Sequence, residues 1–462
     1  MMTYIRKTPA ILAIILSGCA VGPEYIEPTI QFPRQISKTT LNNNNPNKDI
    51  TKIAWWKAFN DTQLNQLVEI SLKQNLTILQ AIERINSAKE QLIVAKSNYL
   101  PSLQTSISSE MTSQSNKLPE GVGKLEASWM IDLFGRNNRI LESVQANIGS
   151  IHAVADMAKL TIISSLLPAY IDARYFQERI HIARKILTVR KQNLDLIRLK
   201  FSAGAASKLD VIKAETLVNT IKSEIPNLEK SFLTAVHSIS KIIDSPAKNI
   251  LSYMQKKNNL RQPNLSTIPN IIITADMIRN RPDVRHNERQ LADAVAKIGI
   301  AKADLYPSIS LNGFIDYSHV RDKNWTFDNK QWVFGPKLQL SLLTRGKTKA
   351  NVHIAESHAY ERYLAWRENV LNAINQVENS LVSVYEDKKT VIAMQTQVNN
   401  YKKALSLSMS SYQEGASSLL EVANAQHDIS AEEINLAAAK RQLAKSYIDL
   451  HIAIGSGYNF KQ

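Results

Sequence analysis

The sequence predicts a mainly α-helical chain that also supplies strands to a transmembrane β-barrel, built from a duplicated unit of one strand pair and one long helical hairpin. Three observations carry this. Landmarks recur at a spacing near 210 residues, apolar stripes hold a seven-residue period over very long stretches, and segments of period two follow prolines.

The duplication rests on three matches in the same order. Ala95-Lys96-Ser97-Asn98-Tyr99-Leu100-Pro101-Ser102 returns as Ala301-Lys302-Ala303-Asp304-Leu305-Tyr306-Pro307-Ser308. Leu133-Phe134-Gly135-Arg136 has a looser counterpart in Leu342-Leu343-Thr344-Arg345-Gly346, and Phe201 to Val211 returns as Tyr412 to Val422. Ordered recurrence of this kind marks an internal repeat.

Each half opens with a predicted helix, over 63–98 and 275–305, ending before Pro101 or Pro307. Proline cannot continue the helical ladder and pushes the residue before it towards extended geometry. Strand-like segments follow. Ile309, Leu311, Gly313, Ile315 and Tyr317 alternate with Ser308, Ser310, Asn312 and Asp316, while Leu125, Ala127, Trp129, Ile131 and Leu133 alternate with Glu126, Ser128 and Asp132. Leu338, Leu340 and Leu342 alternate with Lys337, Gln339 and Ser341, whereas the stretch after Pro101 is polar and alternates poorly. One apolar and one polar face suits a strand with lipid outside and water inside.

Long helices come next. Ile163, Leu166, Tyr170, Ala173, Ile180, Leu187, Leu194 and Phe201 share their phase with Ile374, Val377, Leu381, Val384, Val391, Val398, Leu405 and Tyr412. Val218, Ile225, Phe232 and Ile239 match Ile429, Leu436, Leu443 and Leu450 on the returning arms. A stripe kept at period seven faces one partner only if helices coil about each other. Gly204 and Gly415 mark the turns, and an outgoing arm from 139 to 203 would reach roughly 100 Å. Pro168 and Pro226 lie inside these helices and predict local bends. The polar, asparagine-rich and proline-rich stretches 38–50 and 255–270 read as connecting belts or loops.

The N-terminus reads as a lipoprotein signal. Arg6 and Lys7 precede the apolar run 8–16, too short for a spanning helix, and Leu16-Ser17-Gly18-Cys19 looks like a lipobox whose cysteine receives acyl chains. Cys19 is the only cysteine, so no intramolecular disulfide is expected, and Ala20 in place of an aspartate favours sorting to the outer membrane.

The formal net charge of +15 could suit nucleic acid, but no aromatic-basic cluster or recognition motif accompanies it, so the charge reads as solvated faces. With 44% hydrophobic and 21% charged residues the chain is not a disordered one. Arg345-Gly346-Lys347-Thr348 resembles the end of a phosphate-binding loop, but Ser341 stands where its first glycine is required. His353 and His358 do not share a helical face, and no cysteine or acidic cluster completes a metal site. Arg281-Pro282-Asp283 reads as a helix start, with the carboxylate at the positive end of the dipole. Trp55 and Trp56 read as packing anchors. No cofactor and no catalytic residue is expected.

Four strands cannot span a bilayer alone, because open edges would leave backbone N–H and C=O groups in hydrocarbon. Closure therefore needs two or more chains, and twelve strands from three chains would hold a water-filled lumen. An anchored barrel continued by long helices is a conduit.

The chain also resembles the TolC-like outer-membrane factors, specifically the lipid-anchored branch serving resistance-nodulation-division pumps. The resemblance covers nearly the whole sequence. It is carried by Cys19-Ala20-Val21-Gly22-Pro23-Glu24-Tyr25, Trp55-Trp56-Lys57-Ala58-Phe59 with Asn75 and Ala81, Arg281-Pro282-Asp283-Val284-Arg285 through Glu288-Arg289-Gln290-Leu291, and Ile298-Gly299-Ile300-Ala301 before Pro307-Ser308. It implies a homotrimer with a twelve-stranded β-barrel, a periplasmic α-helical barrel and an equatorial belt. It further implies an outer-membrane exit duct of a Gram-negative bacterium, reaching into the periplasm, with a covalent diacylglycerol and N-acyl lipid on Cys19. The implied partners are a periplasmic adaptor, docked at the hairpin tips Gly204, Ala205, Gly415 and Ala416, and an inner-membrane transporter of the resistance-nodulation-division class. The family's periplasmic aperture maps onto Glu421, where an aspartate is frequent, and Asn424, at an often acidic position. Asp210 and Lys213 are the equivalents in the first half.

The expected organisation is a signal peptide over 1–18, a lipidated segment and belt over 19–62, repeats over 63–243 and 273–455, an equatorial connector over 244–272 and a tail over 456–462. Two other readings compete: the outer port of a type I protein secretion system, and a structural coiled-coil envelope lipoprotein that would not need alternating strands.

Overall fold

The computed structural model describes residues 20–29, 54–110, 120–255, 262–265, 275–321, 326–340 and 345–458. Cys19 and the signal segment lie outside them. Two compact units are present. The first combines the described residues within Met1–Thr29, Ile82–Val154 and Asp283–Asn369, and the second those within Ile30–Ala81, Ala155–Pro282 and Val370–Gln462.

In chain order, a 3-10 turn (Trp55–Phe59) leads to α1 (Thr62–Gln74), α2 (Leu76–Ser97), β1 (Ser102–Glu110) and β2 (Glu120–Ile131). Then come α3 (Arg136–Ser202), α4 (Lys208–Ile243), α5 (Ala247–Gln255), α6 (Ala275–Arg279) and α7 (Pro282–Ala303). The strands β3 (Ser308–Arg321) and β4 (Thr326–Gln339) precede α8 (Lys347–Gln413) and α9 (Leu419–Ala453). The described residues are thus mainly helical with one four-stranded sheet.

That sheet is antiparallel throughout, in the order β1-β2-β3-β4. Its register puts Thr105, Leu125, Ile315 and Trp332 in one cross-strand row, and Ser106, Lys124, Asp316 and Gln331 in the next. Side chains alternate between faces, so the two rows lie on opposite sides. The polar stretch after Pro101 forms β1 because Leu103 and Ile107 extend the apolar face, a pattern apparent only beside β2.

Several elements depart from expectation. The helix over 63–98 is broken at Asn75, whose backbone is extended (φ −63°, ψ 125°). Its side chain accepts from the Thr77 N–H at 2.9 Å and donates to the Ile242 carbonyl at 2.7 Å, so a tertiary contact fixes the break. The stretch 275–305 is split into α6 and α7 at Pro282, which fits the first turn of a helix because no N–H is needed there. The last described strand ends at Gln339, and Ser341 to Thr344 lie outside the described residues. Part of the expected connector is helical, as α5.

Both α3 and α4 continue through their prolines as single elements. An interior proline costs about 3 kcal/mol. Beside Pro168, Leu166, Leu167, Tyr170 and Ile171 are fully buried, each contributing roughly 1.5–3 kcal/mol, so burial outweighs the lost bond. The same stretch makes α3 apolar enough to cross a membrane by composition, yet these residues serve a core.

The main core lies in the second unit. Trp55, Trp56, Phe59, Leu64, Leu67 and Val68 pack with Tyr170, Ile239, Tyr447 and Ile448. Trp55 stacks on His451 with centroids 4.6 Å apart and planes 4° apart, and its indole N–H donates to the Ser456 carbonyl at 3.0 Å. Both tryptophans are thus packing anchors. Burial drives the His451 imidazole down to about 3, so the ring is neutral.

Candidate functional site: hairpin tips and sheet faces

Each hairpin tip is built by the same local rule. At the end of α3 the Gly204 N–H donates to the Phe201 carbonyl at 3.0 Å and the Ala205 N–H to Lys200 at 2.7 Å. At the end of α8 the Gly415 N–H donates to Tyr412 at 3.0 Å and the Ala416 N–H to Ser411 at 2.8 Å. This pair of bonds satisfies the last helical carbonyls and requires a left-handed residue after the helix. Gly204 (φ +72°) and Gly415 (φ +78°) provide it without steric cost.

The returning helices start on serine caps. Ser207 Oγ accepts from the Asp210 N–H at 3.1 Å, and the Asp210 carboxylate accepts from the Ser207 N–H at 3.0 Å and hydroxyl at 2.7 Å. This is a closed capping box. Asp210, implied by resemblance as an aperture group, therefore spends its carboxylate on its own helix. Hydrogen bonds from Ser207, and then the Lys213 cation, hold that carboxyl below the usual range.

The second tip differs. Ser418 Oγ accepts from the Glu421 N–H at 3.3 Å, and no hydrogen bond or ion pair of the Glu421 carboxylate is found among the described residues. Glu421 and Asn424 are exposed, as is Lys213. Within one chain no such contact joins Glu421 or Asn424 to Asp210 or Lys213.

Farther along the hairpins, a link joins the two halves that no sequence pattern announces. The Asp172 carboxylate of α3 accepts from Arg441 at 2.6 Å and Lys445 at 3.0 Å, both on α9. Arg441 also lies over the Tyr175 ring, 4.9 Å from its centroid. No local pattern marks Asp172, since its partners stand about 270 residues away. Another missed cluster is buried beneath α1, where Tyr170 donates to Asp61 at 2.6 Å and Arg174 donates to the Tyr170 hydroxyl at 3.0 Å.

In the first unit the sheet presents the apolar row of Leu125, Ile315 and Trp332, with Trp332 75% exposed in a single chain. On the polar face Lys124 pairs with Glu126 at 3.0 Å and stands over the Phe314 ring. Among the described residues β1 and β4 have no further strand beside them. Apolar exposure on one face and two open edges are incompatible with an isolated chain in water or lipid.

Below the strands, the segment Ala20–Thr29 is strapped to the first unit. Arg139 donates to the Val21 and Gly22 carbonyls at 3.1 and 3.2 Å, and the Tyr25 hydroxyl donates to Glu288. Among the described residues no group of three His, Cys, Asp or Glu side chains could hold a metal ion.

Residues 67–244 and 274–456 match the outer membrane efflux protein family, covering both hairpins. The chain belongs to that family. Nodulation protein T of Rhizobium leguminosarum bv. trifolii is 41% identical over 99% of this chain and 98% of its own. The solvent efflux pump outer membrane protein SrpC of Pseudomonas putida is 25% identical, over 99% of each. Among solved structures, the outer-membrane channel OprN superposes with a TM-score of 0.80 at 24% identity, over 96% of this chain and 100% of that one. The open-state MtrE outer membrane channel of Neisseria gonorrhoeae gives 0.80 at 24%, over 96% and 100%. Outer membrane efflux proteins are channels that work with an adaptor and an inner-membrane transporter, and this chain is an outer-membrane efflux channel with that fold.

Proposed function

We propose that the protein is the passive, non-enzymatic exit duct of a tripartite pump, working as a homotrimer. The observation that carries this reading is the four-stranded sheet with one apolar face and two open edges. Three copies close twelve strands, a number that leaves a water-filled lumen. Cys19, acylated with diacylglycerol and an N-acyl chain once 1–18 is removed, anchors each copy in the outer membrane. Segment 19–62 and connector 244–272 form the belt, 63–243 and 273–455 the two repeats, and 456–462 the tail.

The hairpin tips around Gly204, Ala205, Gly415 and Ala416 receive a periplasmic adaptor, and an inner-membrane transporter of the resistance-nodulation-division class supplies the energy. Glu421 and Asn424 line the periplasmic aperture. Asp210 and Lys213 shape it indirectly, by holding the first tip. Relatives are named for solvent, toluene, cation and pyoverdine export, and in this reading the choice among such cargoes belongs largely to the transporter.

Purified protein in planar bilayers tests this. Small, mostly closed conductance is expected, together with sensitisation of a deletion strain to dyes or antibiotics. Unchanged sensitivity across a broad panel in a pump-dependent strain would count against it.

A further inference from the structure

In the first unit α7 lies between α3 and α8. Towards α3, Ser150 Oγ meets His286 Nδ1 at 2.8 Å, and towards α8, Ala294 and Ile298 pack on Ala359. The N-terminal strap covers one of the two remaining faces of α7. A Cβ built on Gly22 would stand 2.5 Å from the Gly299 Cα, and Tyr25 donates to Glu288.

A cavity of about 450 Å³ opens on another face of α7, where it is lined by Gln290, Asp293 and Lys297. Its walls also include Asn147 of α3 and Asn351, Ile354, Ala355, His358 and Arg362 of α8. At 3.6 residues per turn, these three α7 positions centre roughly 180° from Glu288 and Gly299. The cavity and the strap therefore occupy opposite sides of one helix.

The strap runs directly from Cys19, whose acyl chains must sit in lipid outside any closed barrel. The strap side of α7 is then the outer wall of the duct, and the cavity side is the inner wall.

The chemistry of the lining selects a ligand. Asp293 is already engaged, accepting from Ser143 at 2.5 Å and Lys297 at 2.6 Å. Arg362 gives one bond to Gln290 Oε1 at 2.9 Å, and its exposed guanidinium keeps further donors for a solute. Gln290 is held in that orientation because its Nε2 meets His286 Nε2 at 2.9 Å. Beside this donor fork, Ile354 and Ala355 offer an apolar patch. A guanidinium next to apolar surface suits a carboxylate or sulfonate carried on an apolar body.

We infer that this cavity is a solute-binding recess on the inner wall of the duct, taking amphiphilic organic anions. The inference rests on the trimeric, lipid-anchored reading above.

Two measurements on the acylated full-length trimer test it, with naphthalene-1-sulfonate as the probe. Saturable binding at one site per chain is expected, weakened about 10-fold by Arg362→Gln, while binding of neutral naphthalenemethanol does not change. Position is read by thiol labelling. Glu24→Cys on the strap should react with both a small maleimide and a bulky poly(ethylene glycol) maleimide, and Asn351→Cys beside the recess with the small one only. An unacylated or monomeric preparation would overturn the duct reading and the recess with it. An intact acylated trimer in which Arg362→Gln leaves sulfonate binding unchanged, or in which Asn351→Cys takes the bulky reagent as fast as Glu24→Cys, overturns the recess alone.

Discussion

Gly22 rests on Gly299 so closely that a single methyl group on Gly22 would stand 2.5 Å from the Gly299 Cα. Gly22 also has φ +97°, a conformation that costs a side-chain-bearing residue extra energy. Gly22→Ala should therefore weaken docking of the strap by about 1–3 kcal/mol. Limited proteolysis within 20–29 should accelerate while the sheet and helices stay protected.

The two tips predict different outcomes for two acidic residues. Glu421→Gln should make the reconstituted channel less cation-preferring than the unaltered one, because the exposed carboxylate is the acidic group proposed to line the aperture. Asp210→Asn should leave that preference nearly unchanged and instead loosen the start of α4, where the carboxylate closes the capping box. Ser207→Ala should cost about 1 kcal/mol at the same place. Reversal potentials read the first effect, and amide exchange at residues 207–211 reads the second.

His451 predicts acid sensitivity of the core. Its folded value near 3 lies below the ordinary 6.5, so the unfolded chain binds a proton that the folded chain refuses. The stability of the second unit should be full above pH 6.5 and should fall as the pH drops from there towards 3. His451→Phe should flatten this profile, checked by denaturant midpoints at several pH values.

The sheet predicts an asymmetry between neighbouring positions. Trp332→Arg places a charge on the apolar row and should cost roughly 2–4 kcal/mol of barrel stability near mid-membrane. Gln331→Arg, one residue away on the polar face, should be tolerated. Heat-modifiable migration of the two variants separates them.

What the sequence displayed and what it concealed divide along a physical line. Period-two strands and heptad stripes were legible because a face's surroundings write themselves into spacing, as in the exposed apolar alternation of Leu125 to Ile131 and the stripe from Ile163 to Leu194 packed along the helices. The capping role of Asp210 was also present, as Ser207 three residues before an acid, and was obscured by the resemblance to an aperture. Contacts between distant residues left no local trace. The Asn75 break depends on the Ile242 carbonyl, the Trp55 stack on His451, and the Asp172 clasp on Arg441. β1 stood between these cases, since Leu103 and Ile107 become a face only in register with β2.

Native mass spectrometry of the protein extracted from membranes decides between a closed trimeric barrel and a lone chain. A lipid-anchored trimeric duct gives a single species of three chains, each carrying the mass of acyl groups on Cys19. A single chain without acyl mass would contradict it, because one four-stranded sheet cannot close in lipid.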